Sequence, residues 1–324
     1  MNNEKRKNLN YITLFDPSIC SENLGDYIIM EAVEEVIKEG FPEAFVAKVP
    51  THEKISTSSY EILHKSDFRI VGGTNLLSSN MNSYHQWNIN LFDSLFLDDV
   101  ILLGVGWWQY QEEPNYYTKL LLERVLSNDH IHSVRDKYTK EKLNSIGFDN
   151  VVNTACPTMW RLDKGHCQNV PAKKADSVLL TITSYKKDKT RDKKVYSLLE
   201  EHYDIVYLWP QGAKDYEYAK AVVGEKCRIL PPSLGSFDKT LARDSLDYIG
   251  TRLHGGIRAL NHKKRSLILA VDNRAKEIAA STNLPVVDRA NIEEIKEWIY
   301  SRKETKLNLP IEEIEKWKEQ FTSN

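Results

Sequence analysis

Gly250-Thr251-Arg252-Leu253-His254-Gly255-Gly256 sets a permanent cation two residues from an imidazole, followed by two residues without bulk. The segment follows the apolar pair Tyr248-Ile249 and opens a stretch with Ile257 and Leu260 on one helical face. A helix start offers free N–H groups and the positive end of its dipole to anions. Arg252 adds fixed charge, and His254 adds the side chain that exchanges protons most readily near neutral pH. Leu253 spaces the two, and Gly255 and Gly256 leave room for a ligand. That combination suits the binding of a small anion with proton transfer beside it. A core histidine with a satisfied partner is the alternative reading of His254.

Three other segments put polar residues directly after apolar runs. In Asn23-Leu24-Gly25-Asp26, Gly25 permits close approach of a ligand or a sharp turn. Asp26 there reads equally as a helix N-cap or a substrate contact. In Gly72-Gly73-Thr74-Asn75, Gly73 and Thr74 suit either a substrate-contacting strand end or a tight turn. In Ser133-Val134-Arg135-Asp136, Arg135 is placed to grip a carboxylate or phosphate in two-pronged fashion, or to pair internally with Asp136. Lys276, one turn into the stretch after Asp272, reaches the same region or stands in solvent. Trp107, after the run Val100–Gly104, could stack on a sugar ring or fill the core. Gly104-Val105-Gly106 begins like a dinucleotide fingerprint, but Gln109 stands where its third glycine belongs, so nicotinamide binding is rejected. His52-Glu53 lacks the second histidine of a zinc-protease motif, and no phosphate-binding loop or nucleophile elbow occurs.

These segments need elements to hold them. Apolar runs predict strands over 11–15, 44–49, 68–71, 100–104, 131–134 and 151–153. A second series runs over 177–183, 205–209, 228–230, 248–249 and 266–271. Helical periodicity falls between them, as with Ile29, Val33, Val36 and Ile37 on one face. Val178-Leu179-Leu180 is apolar on successive residues, the pattern of a strand covered on both faces in a parallel sheet. Strand–helix alternation in two blocks predicts an α/β protein of two Rossmann-like, doubly wound domains facing a cleft. The domains are predicted over 1–165 and 166–305, with 306–324 a helix crossing back to the first. Active sites of such folds lie at the carboxyl ends of strands, where all four segments fall.

Bulk properties narrow the class. A chain of 324 residues exceeds the usual size of one core. The net charge of -2 argues against a general nucleic-acid binder. The basic run Lys186–Lys194 is interleaved with Asp and reads as solvated surface, with an anionic membrane as the second option. Cys20, Cys156, Cys167 and Cys227 match no zinc spacing and fit reduced thiols in the cytosol. Met1–Asn10 is polar, unlike a signal peptide. The run Val100–Trp108 falls well short of the roughly 20 residues a membrane span needs. The chain therefore reads as soluble, or peripheral at most.

Taken in order, Asn23-x-Gly25-Asp26, Gly72-Gly73, Ser133–Asp136, Arg252-Leu253-His254 and Asp272–Lys276 resemble the polysaccharide pyruvyltransferase family, over about residues 10 to 290. The resemblance implies a GT-B-like fold, with the first domain on the acceptor side and the second holding most of the donor site. It implies phosphoenolpyruvate as donor substrate, no cofactor or metal, and a saccharide acceptor that becomes a cyclic pyruvate ketal as phosphate leaves. It implies donor contacts from Arg135, Arg252 and His254, and leaves Asp26 as a candidate base. A cytoplasmic enzyme follows, working at the inner face of the membrane where the acceptor is lipid-linked. Two departures stand out: Thr74 replaces a third small residue, and Cys156-Pro157 stands where many relatives have Asp-Pro. The rival readings are a nucleotide-sugar glycosyltransferase and a non-catalytic sugar-binding protein.

Overall fold

The computed structural model describes residues 9–224 and 227–322. Most of the polar N-terminal stretch read from sequence lies outside them. The chain divides into two compact units. One holds 30–157 and 311–322 with the chain up to Cys20; the other holds Ser21–Ile29 and Thr158–Pro310. The sequence alone puts the boundary after residue 165 and keeps Asn23–Asp26 with the first block. Their contacts group them with the second instead, because this loop pairs with a segment near residue 212.

In the first unit the elements run β1 (Tyr11–Asp16), α1 (Leu24–Gly40), β2 (Phe45–Pro50), α2 (Thr57–Lys65), β3 (Phe68–Gly72), β4 (Asn75–Leu77), β5 (Val100–Leu103), β6 (Gly106–Trp107), α3 (Tyr116–Val125), β7 (His132–Val134), α4 (Lys137–Asn144) and β8 (Val151–Asn153). The start of α1 belongs to the second unit. The main sheet is parallel, in the order β2-β1-β3-β5, with parallel pairs β4-β6 and β7-β8 beside it. Gly72 closes β3 against α1, since a Cβ there would stand 2.9 Å from Val33. The short strands β4 and β6 escape sequence analysis because two or three residues carry no period.

The second unit begins with α5 (Lys164–Gln168). It continues with β9 (Ser177–Thr181), α6 (Lys189–His202), β10 (Ile205–Leu208), α7 (Asp215–Val223), β11 (Arg228–Ile229), α8 (Leu234–Leu241), β12 (Leu246–Gly250), α9 (Leu253–Asn261), β13 (Ser266–Ala270), α10 (Asn273–Thr282), β14 (Val286–Asp288) and α11 (Ile292–Tyr300). Its six strands are all parallel, in the order β11-β10-β9-β12-β13-β14. Every residue of β9, β12 and β13 is buried, as strands covered by helices on both faces must be. The order reverses direction between β9 and β12. At such a switch point the following loops diverge to opposite faces and leave a crevice at the carboxyl edge. The last helix, α12 (Ile311–Glu319), buries Ile314 and Trp317 and packs on β7 and β8 of the first unit.

The first unit also carries a buried titratable group. His132 lies in β7, where its Nδ1 accepts from the Leu102 amide at 3.2 Å and its Nε2 donates to the Ser127 carbonyl at 2.8 Å. A second ring proton would face an N–H donor. Burial drives its pKa from the ordinary 6.5 to about 4. Between those values the unfolded chain binds a proton that the folded one refuses, so stability falls as pH drops through this window. The loss amounts to about 3 kcal/mol. Denaturant titrations from pH 7 to 4 are expected to show it, and the His132→Gln variant to flatten the slope.

Candidate active site

The turn between β12 and α9 is built before any side chain reaches out from it. Gly250 ends β12 against Thr181, and a Cβ there would stand 2.1 Å from Thr181 Oγ1. The Thr251 amide donates to the Thr181 carbonyl at 2.8 Å and the Arg252 amide to Thr181 Oγ1 at 3.3 Å. Tyr248 Oη donates to the Arg252 carbonyl at 2.8 Å, which leaves Thr181 Oγ1 as its own donor at 2.5 Å. Burial holds the Tyr248 phenol well above its ordinary pKa, so it keeps that proton. Arg252 thus sits immobilised at the switch point of the sheet.

Its guanidinium is fixed as well. Nε and Nη2 both donate to Oδ2 of Asp215, the former at 2.9 Å. Asp215 opens α7 and is 0% exposed. The Gly212 amide donates to the same oxygen at 2.9 Å, and the Ser184 amide to Oδ1 at 2.8 Å. A buried carboxylate is tolerable only with such compensation. Gly212 must be glycine for the pair to form, since a Cβ there would lie 2.9 Å from Arg252 Nη2.

The Asn23–Asp26 loop is zipped to the segment after β10. The Leu24 amide donates to the Gln211 carbonyl at 2.9 Å, and the Ala213 amide to the Glu22 carbonyl at 2.9 Å. Asn23 Oδ1 accepts from the Gly25 amide at 3.1 Å and from Gln211 Nε2 at 2.9 Å. Asp26 lies in the first turn of α1, past the cap position. It is buried, and its Oδ2 accepts from Ser21 Oγ at 2.6 Å and Asn23 Nδ2 at 3.2 Å. A Cβ on Gly25 would lie 2.6 Å from Gln211 Nε2. His254 and Gly255 are buried in the first turn of α9, with Leu253 half-buried beside them. The second unit thus gathers Asn23, Gly25, Asp26, Arg252, Leu253, His254 and Gly255.

The first unit holds the other sequence candidates except Lys276, and two of them are corrected. Arg135 directly follows β7, but its guanidinium is buried: Nη2 donates to Asn75 Oδ1 and Nε lies 3.5 Å from Asp136. Gly106 makes room for it, since a Cβ there would stand 2.3 Å from Arg135 Nε. Of the two readings of Arg135, the internal pairing is the one observed. Asp136 caps α4 through the Thr139 amide at 2.7 Å. Trp107 is 2% exposed within the hydrophobic core, its Nε1 donating to Gln111 at 3.0 Å, so its ring offers no platform to a sugar. Trp108 instead stacks on Tyr84, with ring centres 3.7 Å apart. Gly73 and Thr74 both have positive φ, 53° and 52°. For a β-branched residue that is strained, and a third glycine would fit there without cost.

Residues 23–273 match the sequence profile of the family "Polysaccharide pyruvyl transferase". The chain belongs to the polysaccharide pyruvyl transferase family. The matched region starts at Asn23 and ends at the opening of α10, so it spans every segment gathered above. Membership makes the protein a transferase. No curated protein matches the chain by sequence. Among solved structures, UDP-GlcNAc 2-epimerase from Methanocaldococcus jannaschii aligns over 98% of this chain and 99% of that one, at 13% identity and TM-score 0.54. That enzyme in complex with UDP-GlcNAc and UDP aligns over 93% and 95%, at 11% identity and TM-score 0.54. The likeness is one of fold, the GT-B-type α/β fold. Among the described residues no helix is long and apolar enough to cross a membrane.

In this pyruvyl transferase family member the segment after β13 presents a different cation from the one sequence analysis selected. Lys276 is 57% exposed and pairs with Asp288 at 3.0 Å, on the β14 side. Arg274 instead turns back on the N-cap Asp272, its Nε at 3.0 Å from Oδ2, and its Nη2 also donates to Tyr185 Oη. The Tyr185 phenol donates to Asp272 at 2.8 Å and is pushed up to about 12 by burial. Arg252 and Arg274 lie 5.3 and 5.2 Å from the centre of that one ring. Sequence analysis also passed over Asp215 and Gln211. Gln211 follows β10 closely, so the rule that found the other segments applied to it, whereas Asp215 stands at the start of α7. Replacing Asp215 by Ala is expected to cost roughly 3–5 kcal/mol by stranding the Arg252 charge. Denaturant unfolding checks this, and the Asp215→Ala, Arg252→Met double variant is expected to recover part of the loss.

Proposed function

We propose that the protein transfers pyruvate from phosphoenolpyruvate to two hydroxyls of a saccharide, forming a cyclic ketal and releasing phosphate. The observation that supports this most is the guanidinium of Arg252, held by Asp215 at the switch point, with His254 in the adjoining turn of a chain from this family. Arg252 and Arg274, gathered about Tyr185, are the proposed contacts for the carboxylate and phosphate of the donor. Charge-assisted hydrogen bonds of this kind contribute roughly 1.5–3 kcal/mol each.

Chemically, a proton delivered to C3 of the enol makes C2 electron-poor. One saccharide hydroxyl adds there, the C2–O bond to phosphate breaks, and a second hydroxyl closes the ring. Of the two hydroxyl protons lost, one balances the proton taken up at C3 and the other leaves with phosphate. His254 is the proposed acid, a role that contributes typically 10²–10⁴-fold. Asp26 is the proposed base for the first hydroxyl. Arg135 supports the fold of the first unit in this reading. Where the acceptor is lipid-linked, the reaction takes place at the inner face of the membrane.

The rival is a nucleotide-sugar enzyme, since the epimerase of similar fold was solved with UDP-GlcNAc and UDP. Titration calorimetry with phosphoenolpyruvate and with UDP-sugars separates the two, and binding of the former alone is expected. Phosphate release with a panel of saccharides, and a matching gain of a pyruvate ketal by mass spectrometry, tests the reaction itself. His254→Ala is expected to lower turnover by roughly 10²-fold or more, and Arg252→Lys, which keeps a charge beside buried Asp215, to weaken donor binding, with both proteins folded by circular dichroism. Near-wild-type turnover in both would refute the assignment.

A further inference from the structure

Gln211 is 3% exposed, and its Oε1 has no hydrogen-bond partner among the described residues. Its amide orientation follows from its neighbours. The Asp26 carboxylate takes a hydrogen bond from Asn23 Nδ2, so Asn23 Oδ1 faces the other way, where the Gly25 amide donates to it. An acceptor at that position requires the nitrogen of Gln211, at 2.9 Å. The oxygen of Gln211 is thereby committed to the opposite side. There it lies against the first turn of α9, 3.2 Å from where a Cβ on Gly255 would stand. The Tyr248 hydroxyl on the other side of that position spends its proton on the Arg252 carbonyl.

A buried acceptor without a donor costs roughly 1–3 kcal/mol, so a chain of four oriented polar groups ending in one calls for an incoming donor. Neither the carboxylate nor the ionised phosphate of the proposed donor substrate carries an O–H or N–H. Both would be repelled by a carbonyl oxygen. A saccharide hydroxyl has the missing proton.

We propose that Gln211 is a positioning residue for the acceptor: its Oε1 receives a hydroxyl of the saccharide and holds it beside the Arg252–His254 turn. This rests on the donor reading above and assigns the acceptor subsite to the zipped loops of the second unit. The hydrogen bond orients the hydroxyl's lone pairs away from Gln211. Glycine at position 255 is then required, because a side chain would occupy the space beside Oε1.

The test separates the two substrates. Gln211→Met keeps length and volume and removes the acceptor atom. Binding of phosphoenolpyruvate, and of methyl glycosides of galactose, mannose, glucose and N-acetylmannosamine, is measured by calorimetry on wild type and variant. KM and kcat follow for any glycoside that is turned over. The variant is expected to lose roughly tenfold in affinity and KM for the glycoside, with phosphoenolpyruvate affinity within twofold of wild type. If Gln211→Met does not fold, Gln211→Asn, which withdraws the amide by one methylene, carries the same comparison. Unchanged glycoside affinity, a loss confined to phosphoenolpyruvate, or no glycoside bound by wild type would each overturn the proposal. A wild type that binds a glycoside through Gln211 but ignores phosphoenolpyruvate would sink the donor reading and keep this one.

Discussion

One carboxylate holds the site of the second unit together. Asp215 carries a negative charge with no exposed surface, and it can do so because two backbone amides and two guanidinium N–H groups converge on it. Those four donors come from three different connections: the loop after β9, the segment after β10 and the turn before α9. The cost of leaving such a charge unpaired forces these connections into register. Arg252 is the beneficiary. A long, flexible side chain becomes a fixed donor group before any ligand arrives, which is the condition for electrostatic preorganisation.

A second network does for the Asn23–Asp26 loop what Asp215 does for Arg252. Ser21, Asp26, Asn23 and Gln211 form a run of hydrogen bonds in which every donor and acceptor assignment follows from the one before. The run begins at a carboxylate and ends at a bare carbonyl oxygen. Arg274 lies near enough to Asp26 for the carboxylate to reinforce its charge. The Tyr185 cluster is of another kind: its phenol lies between Arg274, which pairs with Asp272, and Arg252, which pairs with Asp215.

Much of this was legible from residue order. The parallel strands announced themselves because a strand buried on both faces is apolar without alternation, as in Val178–Leu180. Helix starts were less legible: Asp26, read as a possible N-cap, lies in the first turn of α1, while Asp136 and Asp272 are the residues that cap α4 and α10. The rule that polar residues follow strands singled out Arg252, His254 and Asn23–Asp26, which the fold groups in the second unit. It failed at Arg135 and Trp107, which also follow strands but turn into the core. Whether a side chain at a strand end faces inward depends on what packs above it. For Arg135 that is Gly106, a residue of a strand too short to detect.

From the chain alone came the fold class and the family, because apolar periodicity and short ordered motifs are local properties. The partner of each charge was not local. Asp215 and Arg252 are separated by 37 residues, Asn23 and Gln211 by 188. Only the folded arrangement could decide that Arg274 and not Lys276 faces Tyr185, that Arg135 is buried, and that one oxygen of Gln211 has no partner among the described residues. Each of these follows from the desolvation of a charge or dipole by neighbours distant in sequence, and no pattern along the chain encodes that distance.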